Sequence, residues 1–281
     1  MAEVYLHANI FRGQPFARAV RKAKSFGYDG MEAWFSHFRD RNDPVGSLTE
    51  LKRVTDSEGV RMPVAPLSAD LLVDDVSVRQ DNLSRTVDYI GEVGALGFEW
   101  MNGYIGWLNA PNGSWHESGS VMAAGAHHER AVEGCAAMAK AAEEAGITIT
   151  LEIHMRTPHD SAASAMRILD AVDSPRMMAN IDSGNLHGVN HAESPTEAVD
   201  ILGKRLGYAH LKNCRRFGEQ ADYHYPLWGG DLDYAVIIRH MHEQGYTGPY
   251  CIEYSGDGDR SYRAREDLNY VREILTDLNA E

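Results

Sequence analysis

Cysteine is scarce in this 281-residue chain: Cys135, Cys214 and Cys251 are widely spaced, with no Cys-x-x-Cys pair. Neither a disulfide framework nor a zinc knuckle is indicated, and reduced thiols are expected. Long apolar runs are missing too. No stretch approaches the ~20 consecutive apolar residues of a membrane span, and the opening MAEVYLHANIF lacks the basic and apolar regions of a secretory signal. A cytoplasmic protein is the expectation. Basic residues are outnumbered, with 27 Lys and Arg against 41 Asp and Glu and a net charge of −14. Such a charge repels a phosphate backbone, so neither nucleic acid nor a membrane is an expected partner. There is also no low-complexity linker and no glycine-rich phosphate turn after the first apolar run, the mark of an open dinucleotide-binding sheet.

What is present is a repeating junction. A helical run ends in glycine and a short apolar stretch follows, as in KSFGYDGMEAW, SEGVRMPVAP, ALGFEWMNGY, EEAGITITLEI, KRLGYAHLK and EQGYTGPYCIEY. Glycine just past a helix takes the left-handed conformation that stops it. Ser174-Pro175 is the equivalent breaker before RMMANID, and Val4 to Asn9 opens the series. Eight strands are therefore expected near 4–9, 29–35, 60–66, 97–103, 147–153, 177–182, 206–212 and 249–254. Helical spacing lies between them, for example at Tyr234, Ile237, Ile238 and Met241. Short, continuously apolar strands alternating with helices describe an α/β fold with a parallel sheet covered on both faces. Eight repeats close it into a (β/α)8 TIM barrel, expected as one domain over 1–281. The one long irregular stretch, about 103–125, follows the fourth strand and reads as a lid, with Trp107, Trp115 and His116 available to cover a ligand.

Polar residues at the ends of otherwise apolar strands carry the chemistry, because a strand interior has no reason to hold a charge. Glu152 closes ITITLEIH, Asp182 closes MMANID, His210 closes GYAHLK and Glu253 closes YCIEY. Three carboxylates and an imidazole converging on one mouth repel or desolvate one another unless a cation sits among them. An oxygen-rich set with one nitrogen favours Mn²⁺, with Mg²⁺, Co²⁺, Fe²⁺ and Zn²⁺ as alternatives. Glu32 also ends a strand and reads as a structural or substrate-contacting acid. His154 lies two residues past Glu152, on the same side of the strand. It is either an acid or base or a support for Glu152. Lys212 with Arg215 and Arg216 forms a basic cluster suited to an anionic or hydroxyl-rich small molecule. His187 and His191 read as loop histidines.

In YDGMEAW, LEIH, NIDSGN, AHLK, PLWGGDLDY and GPYCIEYSG the chain resembles the xylose isomerase-like barrel superfamily of sugar phosphate isomerases and epimerases. The resemblance implies that Glu152, Asp182, His210 and Glu253 bind one catalytic metal. It also implies dual roles for Glu152 and Glu253 on opposite faces of a ketose, and a substrate contact at Arg216, six residues after the metal histidine. Two positions depart from those epimerases, Asn185 where a histidine follows the aspartate and Pro158 where a second glutamate is expected. Asn185 therefore enters as a different substrate contact. Glu-x-His at 152–154 resembles barrel members that act as dehydratases or lyases. Asp222 and His224 resemble a zinc pair of the DNA-repair branch, yet the further histidines of that branch are missing. His224 reads as a substrate or lid contact, with Trp228 an apolar wall beside it.

The leading expectation is a metal-dependent sugar or ketose isomerase or epimerase acting through an enediolate on a small polyhydroxylated carbonyl compound. The alternative is a lyase or dehydratase on a keto-cyclitol or 3-oxo-glycoside. An abasic-site endonuclease stands last, given the charge. Homo-oligomerisation is left open.

Overall fold

A computed structural model describes residues 2–218 and 220–280. Eight parallel strands, β1 (Val4–His7), β2 (Gly30–Glu32), β3 (Val64–Ser68), β4 (Trp100–Tyr104), β5 (Thr148–Glu152), β6 (Met177–Asp182), β7 (Leu206–Leu211) and β10 (Tyr250–Ile252), follow the order β1-β10-β7-β6-β5-β4-β3-β2 in a closed barrel. The remaining two, β8 (Asn213–Phe217) and β9 (Gln220–Tyr225), form an antiparallel hairpin. The chain divides into two compact units, Met1–Pro66 with Tyr208–Glu281, and Leu67–Gly207.

In the first unit β1 pairs with β2 and β10, and β10 with β7, so that Leu6 aligns with Met31 and Ile252, and Cys251 with His210. Every residue of β1 and β7 is buried, the signature of strands covered on both faces. The helix Tyr234–Glu243 turns Ile237, Ile238 and Met241 inward, as their spacing requires. Full burial of one such side chain contributes roughly 1.5–3 kcal/mol. In the second unit β5 pairs with β4 and β6.

The expected junctions recur: the helices Phe16–Phe26 and Gly125–Ala145 stop at Gly27 (φ 90) and Gly146 (φ 73). Before β6 the stop falls at Asp173 (φ 46), one residue ahead of the Ser-Pro breaker. The third strand begins at Val64 rather than near 60, just after Pro63, and runs through a second proline, Pro66. The hairpin is not among the expected elements; its arms alternate irregularly and are mostly buried or half-buried, with a register shift between Asn213 and Arg215. The stretch near 103–125 is irregular apart from a 3₁₀ turn at Gly119–Met122. It is tied to the loop after β5 by Leu108 N donating to Arg156 O (2.7 Å) and Ser120 N to Asp160 Oδ2 (3.0 Å). Among the described residues no helix is long and apolar enough to cross a membrane.

One buried acid anchors the segment after the hairpin: Asp267, on the helix Arg260–Ala280, accepts a hydrogen bond from Leu227 N (2.9 Å). Burial lifts its carboxyl to about 7. The folded chain therefore keeps a proton that the unfolded chain releases near pH 4, so the contribution of this group to stability is full below pH 4 and is lost as pH rises towards 7. Asp267→Asn, which keeps the acceptor and removes the charge, should raise the melting temperature over wild type at pH 8 and leave it nearly unchanged at pH 4.5. An equal difference at both pH values, read from thermal melts, would contradict this.

Candidate active site

Each of the acidic strand ends is held by its own neighbours. In the second unit Glu152 ends β5 and is buried. Its Oε2 receives Asn102 Nδ2 (3.2 Å) and its Oε1 receives Asn185 Nδ2 (3.1 Å). Asn102 is fixed in turn, since its Oδ1 accepts from Thr150 Oγ1 and Asn180 Nδ2, both at 2.9 Å. Asp182 ends β6, and its Oδ1 accepts Asn185 N (2.8 Å). Asn185 is thus a buried brace between the two carboxylates. His159, absent from the residues singled out in the sequence, donates through Nδ1 to Glu152 O (2.8 Å), and burial holds its imidazole down at about 4.

In the first unit His210 lies on β7 and Glu253 one residue beyond β10. Glu253 Oε2 accepts from Lys212 Nζ (3.0 Å) and stands 3.4 Å from His210 Nδ1. Burial alone would raise the Glu253 carboxyl, but the Lys212 charge, with His7 and His210 behind it, holds it well below the usual carboxylate range. Lys212, expected at the substrate, is buried and spends its charge on Glu253. Glu32 Oε2 accepts from both Tyr208 OH and His210 Nε2 at 2.8 Å. Here too burial pushes upward and is overcome, by His210, His7 and the Tyr208 hydroxyl, leaving the carboxyl at about 2.

Glu152 and Asp182 in the second unit and His210 and Glu253 in the first are all buried, and each offers one atom able to hold a metal ion. Three carboxylates and one imidazole make a hard, oxygen-rich donor set that fits a divalent cation. The tautomer fits as well: a carboxylate at Nε2 takes the ring proton there, leaving the His210 Nδ1 lone pair on the Glu253 side.

Around this group the other expected residues fall unevenly. His154, half-buried two residues past β5, turns Nδ1 to Met155 O (2.9 Å); a carbonyl only accepts, so the neutral ring carries its proton there and Nε2 is the basic nitrogen. Its ring packs against Tyr104 and, edge-on at 5.3 Å, Trp107. Trp115 carries the Arg156 guanidinium on its face at 4.9 Å. His191 is tied to Asp160 and Ser120, and His116 to Asn190. Arg216 sits on the hairpin with its backbone N donating to Asp231 Oδ2 (2.8 Å). His224 is exposed and hydrogen-bonded to Asp222. Trp228 is 56% exposed, with the Arg263 guanidinium 5.7 Å from its ring centre. His7, the last residue of β1, was overlooked: it is buried against Glu32, His210 and Trp34. Its only signal in the sequence is a lone polar residue closing VYLH, the feature that marked Glu152 and Asp182.

Because Glu32 fixes the His210 ring, Glu32→Gln should weaken Mn²⁺ binding about 10- to 100-fold while the circular dichroism spectrum stays that of wild type. Equal Mn²⁺ affinity by calorimetry would reduce Glu32 to a packing role.

A curated relative, fructoselysine 3-epimerase of Shigella flexneri, is 23% identical over 257 residues, 85% of each chain. Among solved structures, a xylose isomerase-like TIM barrel protein from Mycobacterium smegmatis in complex with magnesium is similar over 99% of this chain and 97% of its own, with a TM-score of 0.75 and 21% identity. D-allulose 3-epimerase from Methylomonas sp. is similar over 97% and 98%, with a TM-score of 0.78 and 18% identity. The family model of the xylose isomerase-like TIM barrel matches residues 20–274, nearly the whole chain, and the protein belongs to that family.

Proposed function

We propose that the protein is a divalent-metal-dependent epimerase or isomerase of a small sugar, removing a proton from the carbon beside a carbonyl to give an enediolate. The buried strand-end set Glu152, Asp182, His210 and Glu253, three carboxylates and an imidazole able to hold a metal ion, carries this reading. Relatives named as sugar 3-epimerases support it. Those four side chains would hold the cation, with Mn²⁺ or Mg²⁺ the best match to the donors. A cation there supplies positive charge that polarises the carbonyl and lowers the cost of the enediolate.

The chain's own groups do the rest. Asn102 and Asn185 fix the Glu152 carboxylate, so its oxygens hold one orientation. Lys212 keeps Glu253 ionised, and an ionised carboxylate can take a proton. His154 Nε2 is a second base, with Trp107 and Tyr104 holding the ring and limiting water around it. The segment near 103–125, which carries Trp107 and Trp115, serves as the cover. Arg216, His224 and Trp228 lie on or beside the hairpin and are read as substrate contacts. A lyase shares the first step, and His154 as acid for a leaving group favours it; product analysis with a ketose panel and a 3-oxo-glycoside panel separates the two outcomes.

Chelation with EDTA should abolish turnover and Mn²⁺ should restore it. Reaction in D₂O should place deuterium on the carbon beside the carbonyl, and complete retention of protium would overturn the enediolate. His154→Ala should slow turnover about 10²- to 10⁴-fold with metal content unchanged; a wild-type rate in that variant would return the base role to Glu152 and Glu253.

A further inference from the structure

His7 occupies the last position of β1, in register with Glu32, and is 1% exposed. Among the described residues neither of its ring nitrogens has a hydrogen-bond partner. Glu32 Oε1 lies 3.7 Å from Nε2, beyond hydrogen-bond range. The ring is wedged against Trp34 at 5.0 Å and the edge of His210 at 5.3 Å. Glu32, Glu253, His210 and Lys212 all act on it electrostatically. A buried polar group left without a partner is rare in a native fold and calls for an explanation. Shape alone does not give one, since phenylalanine fills similar space without two polar atoms to satisfy.

We infer that His7 recognises the substrate, its imidazole hydrogen-bonding a hydroxyl of the sugar on the side of the site formed by His210 and Glu253. The assignment rests on the sugar reading above and adds to it a specificity-determining residue. The ligand class follows from the atoms. Two ring nitrogens without partners, one of them an N–H and the other bearing a lone pair in a neutral imidazole, present one donor and one acceptor. A hydroxyl can serve either nitrogen, and a vicinal pair can serve both. An anionic substituent would meet the charges of Glu32 and Glu253, which both act on this ring. A second cation held by His7, Glu32 and His210 is the competing occupant. It would draw on Glu32, whose Oε2 already accepts from the Tyr208 hydroxyl and His210 Nε2, both at 2.8 Å.

The test compares wild type, His7→Phe and His7→Gln, each loaded with Mg²⁺, by calorimetry with D-allulose, D-fructose and D-tagatose. For a ketose that wild type binds, His7→Phe should raise Kd about 10-fold or more at unchanged Mg²⁺ stoichiometry, and His7→Gln, which keeps a donor and an acceptor, should recover part of the loss. A Kd for His7→Phe within twofold of wild type overturns the assignment, as does a second equivalent of Mg²⁺ that disappears with His7. Should His7→Phe fail to fold, the histidine ¹⁵N resonances present in wild type and missing in His7→Gln give the answer. They should shift when ketose is added, and unmoved resonances overturn the inference. If wild type binds none of the three ketoses, the sugar reading falls and this assignment with it, an outcome distinct from ketose binding that ignores His7.

Discussion

A carboxylate removed from water must be met by positive charge or by hydrogen-bond donors, and the strand ends of this protein are organised around that requirement. Glu253 is met by Lys212, Glu32 by the His210 ring and the Tyr208 hydroxyl, and Glu152 by the amides of Asn102 and Asn185. Unmet, each charge would cost several kcal/mol and the group would take up a proton instead. Kept ionised, the acids remain able to act as ligands and bases. The same contacts that make the interior tolerable therefore set the direction of each side chain.

Compensation is incomplete by design of the residue types. Lys212 and the imidazoles offset Glu253 and Glu32, whereas the donors that Asn102 and Asn185 give to Glu152, and the N–H that Asn185 gives to Asp182 Oδ1, are neutral. Amide donors orient a carboxylate without cancelling its charge. A cation is the natural complement to such a set, and binding one would stabilise the folded state by mass action as well as serve chemistry.

The fold and the acidic residues were legible in the sequence because both break a local rule: glycine ends helices at fixed intervals, and Glu152, Asp182, His210 and Glu253 place polar groups where strands are otherwise apolar. Supporting residues were less visible. Asn102 and Asn180 lie inside the strands WMNGY and MMANID, and an asparagine there reads as a weakly polar interruption until its partners across the sheet are known. The spacing of Asn185 to Asp182 marks it as a substrate contact but gives no sign that its backbone and side chain also bridge two carboxylates. The hairpin Asn213–Phe217 and Gln220–Tyr225 was hidden because short, polar, partly buried antiparallel arms lack the apolar period that reveals a core strand. His7 needed the third dimension, since only its neighbours distinguish it from an ordinary buried histidine.

Cys251 aligns with His210 in the strand ladder and is fully buried. Burial, with the Glu32 charge behind it, pushes its thiol up to about 12. Reaction with peroxide proceeds through the thiolate, and this sulfur stays protonated throughout the physiological range. Peroxide therefore finds little thiolate at this position, and the strand that pairs with His210 is a poor target for oxidative damage.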